Sequence, residues 1–226
     1  MTSMTRAGFK HVMWDWNGTL FDDAGLCLEG MNELLCRRGM PLLSTERYQE
    51  IFDFPVIDYY RRAGFDFARE SFQDLSVEFM EIYERRKVEC GLHVHALEIL
   101  HHINSIGLTQ SVLSAYKQDL LESILDHFKL REGFVKVIGI SDIFAASKLE
   151  QGRRWIADLG HPPTEVVLIG DTTHDFEVAR AMGAACWLVP GGNQPRAKLE
   201  KCGVPVFDSL AEVMAAFPSS TPMDPR

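Results

Sequence analysis

Short apolar runs alternate with amphipathic stretches through the second half of the chain. Residues 108–115, 135–140, 165–169, 184–189 and 205–207 are apolar, rich in β-branched or aromatic types and bounded by turn residues, which predicts strands. Helical patterns fall between them at 117–129, 149–159, 174–182 and 194–201. An earlier apolar run, His11-Val12-Met13-Trp14, predicts a first strand near the N-terminus. Strands alternating with helices imply βαβ units and a parallel sheet. Right-handed crossovers then bring the strand C-termini to one edge, where such sheets bind ligands.

Residues 22–91 break this rhythm. No strand pattern is found there, and residues 24–39, 45–52, 56–63 and 68–90 read as helices punctuated by Pro41, Pro55 and Gly64. In the longest of them, Phe72, Leu75, Phe79, Ile82 and Tyr83 recur at helical spacing and form an amphipathic face. The expected fold class is therefore α/β: a Rossmann-like parallel sheet core with an inserted helical cap domain. The core is assigned to residues 1–21 and 92–217, the cap to 22–91, and 218–226 to a disordered Ser/Pro-rich tail. An insertion after the first strand lies above the edge that binds ligands, well placed for a lid.

Composition narrows the function classes. The net charge of -9 offers no basic patch and excludes a nucleic-acid partner. No apolar run reaches the ~18 residues of a membrane helix, and the first ten residues are polar, without a signal core. The cysteines Cys27, Cys36, Cys90, Cys186 and Cys202 form no CxxC pair and read as free thiols of a reducing, cytoplasmic compartment. His93, His95, His101 and His102 lack a companion Cys or carboxylate constellation and read as a solvated helix start rather than a metal site.

Four short segments carry chemistry. The first is Asp15-Trp16-Asn17-Gly18-Thr19-Leu20, directly after the first strand. A carboxylate at a strand end is a candidate nucleophile; Gly18 permits close backbone approach, and Thr19 supplies a hydroxyl. The second is Gly170-Asp171-Thr172-Thr173-His174-Asp175, after the apolar run 166–169. Two carboxylates together at the mouth of a sheet call for a cation, and Mg²⁺ suits one or two such hard oxygen ligands. The competing reading is a plain turn with Asp175 as a helix N-cap. The third is Lys148, which opens a helix and so opposes its dipole unless an anion sits nearby. The fourth is Ser114, a hydroxyl at a strand end that can donate to a phosphate oxygen.

The order and spacing of these segments resemble the haloacid dehalogenase superfamily, in particular its phosphatases with a helical cap of the phosphoglycolate-phosphatase kind. The family pattern Asp-x-Asp-Gly-Thr, Ser/Thr, Lys, Gly-Asp-x-x-x-Asp is matched by Asp15, Ser114, Lys148 and Asp171/Asp175, and the resemblance runs over nearly the whole chain. It implies that Asp15 attacks phosphorus to form an aspartyl-phosphate. It implies Mg²⁺ held by Asp15, the backbone carbonyl of Asn17 and Asp171, with Asp175 in support. Phosphate oxygens would be held by Lys148, Ser114 and the backbone around Gly18 and Thr19. One residue departs: the family's acid/base aspartate is Asn17 here. An amide cannot protonate a leaving group, help worth roughly 10²–10⁴ in rate. Three readings stay open: a slow phosphatase for activated esters, recruitment of another acid such as His174, or a phosphate-binding protein without turnover. The phosphonoacetaldehyde hydrolases share Asp-Trp in the first segment but need a cap lysine, and only Lys87 lies in the block. The implied partner is a small phosphorylated substrate, with Arg61 or Arg62 as candidate contacts to a substrate carboxylate or as plain surface arginines. The oligomeric state is left open.

Overall fold

The computed structural model describes residues 8–218; the remainder of the expected tail, 219–226, lies outside them. Five parallel strands form one sheet: β1 (His11–Trp14), β2 (Thr109–Lys117), β3 (Lys136–Ile140), β4 (Val166–Gly170) and β5 (Ala185–Leu188), in the order β3-β2-β1-β4-β5. The chain runs outward from β1 to β2 and β3 on one side, then crosses to β4 and β5 on the other. The reversal of direction lies beside β1, where Trp14 pairs with both Val112 and Ile169. Open α/β sheets bind ligands at such a reversal, beyond the strand C-termini.

Alternation along each strand builds two cores. In β4, Val167 and Ile169 join Val12, Trp14 and Trp187 on one face, covered by α5 (Ala96–Ser105), α6 (Gln118–His127) and α10 (Leu210–Ala216). Val166 and Leu168 join Met13 and Leu113 on the other, covered by α7 (Leu149–Asp158), α8 (Thr173–Met182) and the short α9 (Arg196–Leu199). Both faces of every central strand are thus apolar, as a buried parallel sheet requires. Each fully buried Leu, Ile or Val contributes about 1.5–3 kcal/mol.

Between β1 and α5 the chain forms α1 (Ala24–Arg37), α2 (Thr45–Ile51), α3 (Val56–Ala63) and α4 (Phe72–Arg86), with no strand among the described residues. Ser44 and Ser71 cap α2 and α4 through their side chains, and Gly64, at φ 109, ends α3 in the left-handed region that favours glycine. The block has a third apolar cluster, including Met31, Leu34, Leu35, Tyr48, Tyr60 and Leu75. The amphipathic face expected in 68–90 is present: Phe72, Leu75, Ile82 and Tyr83 are buried.

Some expected elements differ. Residues 205–207 make a single bridge, Leu188 to Val206, instead of a strand. The long helical pattern begins at Phe72 rather than 68 and closes in a 3-10 turn at Lys87–Glu89. Helix α10 was not anticipated, and α5 carries the helix start expected around the histidines, with His95 at its N-cap and His101 and His102 within it. No helix among the described residues is long and apolar enough to cross a membrane.

Candidate active site

Asp15 is the first residue past β1, and its N–H extends the ladder to Ile169 O at 2.8 Å. The chain then tightens. Trp16, fully buried and stacked on Phe21 with ring centroids 5.4 Å apart, offers its carbonyl to the N–H groups of Thr19, Leu20 and Phe21. Gly18 adopts φ +73, and a Cβ there would lie 2.3 Å from both Asn193 Nδ2 and Asp171 Oδ2. Only glycine lets this turn pack against the neighbouring carboxylate.

Asp171 follows β4, and Thr172 caps α8 in a reciprocal box with Asp175. Asp175 is therefore the third helical residue and not the N-cap: its Oδ2 accepts from Thr172 N (3.0 Å) and Thr172 Oγ1 (2.7 Å). Its other oxygen, Oδ1, lies 2.6 Å from Lys148 Nζ, which also donates to Asp15 Oδ1 at 2.5 Å. The anion that the placement of Lys148 called for is this pair of carboxylates. Asp15, Asp171 and Asp175 each present an oxygen within 4.8 Å of the others, all three buried.

One lysine cannot neutralise three carboxylates, and the electrostatics show it. Burial drives the Asp15 carboxyl up to about 7; Lys148 pulls against that, and Asp175 adds to it. Asp171 is pushed well above the carboxylate range, first by burial and then by the charges of Asp15 and Asp175. Asp175 stays below its ordinary value because Lys148 and the Thr172 hydrogen bonds outweigh its burial. Lys148 is raised, since its two carboxylate partners outweigh its own desolvation. A metal-free site of this kind holds protons that a divalent cation would displace.

The remaining expected residues converge here too. Ser114 sits where the β2–β3 register shifts, and its Oγ donates to Asn17 Oδ1 at 3.3 Å. Thr19 Oγ1 points at Asp171 Oδ1, 3.4 Å away. The Gly18 N–H is taken by Phe21 O and Asp23 Oδ1, and the Thr19 N–H by Trp16 O, so in this conformation Lys148 is the side chain that donates to Asp15, while Ser114 donates to Asn17. Asn17 Nδ2 donates to Asp23 Oδ2 (2.7 Å) and to Tyr83 Oη (2.9 Å), and Tyr83 in turn donates to Asp23 at 2.6 Å.

Several participants were not legible as such. Asp23, Tyr83, Asn193 and Tyr48 carry no motif. Asn193 donates to Asp171 Oδ2 (3.0 Å) and accepts from Tyr48 (2.7 Å), linking the helical block to the carboxylate cluster. Gln49, Gln194 and Lys198 add bonds between the loop around residue 192 and the α2 region. Together they close a cavity of about 140 Å³ over Asp15, Asn17, Ser114, Lys148 and Asp171. The block lines it with Tyr48, Phe52, Phe54, Tyr59, Tyr60 and Phe79. Arg61 and Arg62 do not reach it: they lie exposed, paired with Asp58 and Asp53. His174 does reach it, stacked on Phe54 at 4.7 Å, with its Nε2 3.3 Å from Ser147 Oγ.

The model of the haloacid dehalogenase-like hydrolases matches residues 12–189. The chain is similar to a phosphoglycolate phosphatase of Pseudomonas savastanoi, 23% identical over 214 residues that span 91% of this chain and 78% of that one. It is likewise similar to a tyrosine-protein kinase, PtkA, of Mycobacterium tuberculosis, 24% identical over 208 residues, covering 89% and 69%. Among solved structures it resembles a haloacid dehalogenase-like hydrolase of Streptococcus pneumoniae, with TM-score 0.80, 16% identity and coverage of 93% and 99%.

Proposed function

We propose that this chain, which belongs to the haloacid dehalogenase-like hydrolases, is a magnesium-dependent phosphatase that cleaves small phosphate monoesters through an aspartyl-phosphate on Asp15. The observation that carries the reading is the buried trio Asp15, Asp171 and Asp175 at the sheet's ligand-binding edge, with a single ammonium group, Lys148, between Asp15 and Asp175. Curated relatives named phosphoglycolate phosphatase support the phosphatase assignment.

The donor set fits Mg²⁺: hard carboxylate oxygens, close together, in excess of the local positive charge. Asp15 and Asp171 would hold the ion with the Asn17 carbonyl, and Asp175 would support it. Bound there, it would neutralise phosphoryl charge and keep Asp15 ionised. Asp15 then attacks phosphorus, and the ester P–O bond breaks with its electron pair leaving on the alcohol oxygen. Water attacks the phosphorus of the acyl phosphate, releasing inorganic phosphate and restoring Asp15. Lys148 and Ser114 hold phosphoryl oxygens in line for both displacements. The helical block, residues 22–91, acts as a cap that excludes water from the cavity. The five free cysteines support residence in a reducing, cytoplasmic compartment.

Asn17 favours a second reading, a phosphate-binding protein without turnover. Phosphate release from nitrophenyl phosphate, with Mg²⁺ and with a chelator, separates the two. Mg²⁺-dependent release that disappears in Asp15→Asn supports the phosphatase. Tight phosphate binding with no release supports the second reading.

A further inference from the structure

The cavity above Asp15 has a chemistry of its own. Its cap wall is aromatic, contributed by Tyr48, Phe52, Phe54, Tyr59, Tyr60 and Phe79. Among the described residues, its cationic side chains are Lys148, held between Asp15 and Asp175, and Lys117, paired with Asp119 at 2.8 Å. Neither is free to meet a carboxylate on the far end of a substrate. Arg61 and Arg62 face outward. A charged leaving group would be desolvated there without a partner, at a cost of several kcal/mol. An apolar one gains the burial.

A second set of contacts bears on proton supply: polar groups near the scissile position are largely committed elsewhere, His174 lies with its Nε2 3.3 Å from Ser147 Oγ and its Nδ1 3.6 Å from Glu177, and the Tyr59 hydroxyl sits in the cap wall. Asn17 has no acidic proton, and its amide already serves Asp23 and Tyr83. The hydroxyl of Tyr83 donates to Asp23, that of Tyr116 to Glu84, and that of Tyr48 to Asn193. A leaving group that departs as its own anion is therefore favoured. Phenols ionise near ~10, as tyrosine does, whereas water, the closer model for an alkyl alcohol, ionises near ~16.

Building on the phosphatase reading above, we infer that the substrate is an aryl phosphate monoester: an aromatic ring seated in the cap's aromatic wall and expelled as a phenolate without proton transfer. The ring stacks edge-on or offset among Phe52, Phe54, Tyr59 and Tyr60, whose own pairs already adopt such geometries. The Tyr59 hydroxyl is buried with no hydrogen-bond partner among the described residues, so it remains available to a polar substituent on that ring.

Four esters test this in the Mg²⁺-loaded protein: phenyl, 2-naphthyl and benzyl phosphate, and phosphoglycolate. The two aryl esters have leaving groups of similar acidity and differ in apolar area, so kcat/KM should favour 2-naphthyl by roughly tenfold. Benzyl phosphate keeps the ring but loses the acidic leaving group and should fall well below phenyl. Phosphoglycolate should be slowest. Phe54→Ala, in a loop outside the helices, should shrink the naphthyl-to-phenyl ratio. Turnover with phosphoglycolate at or above 2-naphthyl phosphate would overturn the inference while leaving the phosphatase reading intact. Calorimetric binding to the Asp15→Asn protein separates the opposite case. Tighter binding of 2-naphthyl phosphate than of phosphoglycolate supports the ligand class even if no ester turns over, and weaker binding overturns it.

Discussion

Magnesium should stabilise this protein strongly at pH 8 and hardly at all at pH 5. In the metal-free fold the Asp15 carboxyl titrates at about 7, against 3.8 for an ordinary aspartate. The folded state therefore binds a proton that the unfolded chain has already released. Stability falls as pH rises from about 4 to 7, and the full deficit, about 4 kcal/mol from this group, is present above that range. A divalent ion offsets it by replacing the proton. At a concentration of about 100 times its dissociation constant at pH 8, Mg²⁺ adds about 2.7 kcal/mol. For a chain of this size that is about 5–10 °C in Tm. At pH 5 the ion must displace the Asp15 proton two units below its pKa, which weakens binding about 100-fold. The same Mg²⁺ then adds about 0.4 kcal/mol, or about 1 °C. Differential scanning calorimetry with and without MgCl₂ at each pH reads this directly. Asp171→Asn sharpens the test. An amide keeps the shape of Asp171 but removes a carboxylate from the cluster, so it should erase the Mg²⁺ shift. Equal shifts at both pH values, or a shift that survives Asp171→Asn, would refute the reasoning.

Three other perturbations have defined outcomes. Asn17→Asp puts a second carboxyl within hydrogen-bond reach of Asp23; two such groups resist ionising together, so the pair keeps a proton between them. Benzyl and alkyl phosphates should gain up to roughly 10²-fold in kcat/KM and nitrophenyl phosphate little, with equal gains counting against leaving-group protonation as the missing step. Lys148→Met leaves Asp15 and Asp175 without their buried cation and should cost about 3–5 kcal/mol in urea unfolding at neutral pH; a loss below 1 kcal/mol would show the pair is not holding the site. His11, fully buried between Thr109 and Ser111, has its imidazole pushed down to about 4 by burial and by His161. Between pH 6.5 and 4 the unfolded chain takes up a proton that the fold refuses. Stability from this group therefore falls by about 3 kcal/mol as pH drops, a slope that His11→Asn should remove from urea midpoints.

The carboxylate end of the cavity was legible because strand ends announce themselves. Asp15, Ser114 and Asp171 each follow or interrupt an apolar run, and Lys148 opens a helix whose dipole it opposes. Helix α3 matched its expected bounds because Pro55 and Gly64 delimit it. The aromatic end was not legible. In the stretch from Asp53 to Arg62, charge suggested the two arginines, but the turn of α3 sends them to solvent and brings Tyr59 and Tyr60 inward. Which side of a short helix faces a cavity depends on what packs against it, and for α3 that is the α2 region, where Tyr59 meets Tyr48 and Phe52. Asp23 gave no signal because its role is a contact with Asn17 and Tyr83 created by folding. Helix α5 did carry one: Ala96, Ile99, Leu100 and Ile103 recur at helical spacing and are buried, beside the histidines that mark the helix start.

The central claim is that Asp15 becomes phosphorylated during turnover. Acid quenching of the Mg²⁺-loaded protein during hydrolysis of nitrophenyl phosphate, followed by borohydride reduction and peptide mass spectrometry, reports on it directly. Reduction of an aspartyl-phosphate leaves homoserine, which should be found at position 15 and should vanish when Mg²⁺ is chelated. Phosphate release with position 15 unmodified, or with the modification at another carboxylate, would contradict the account.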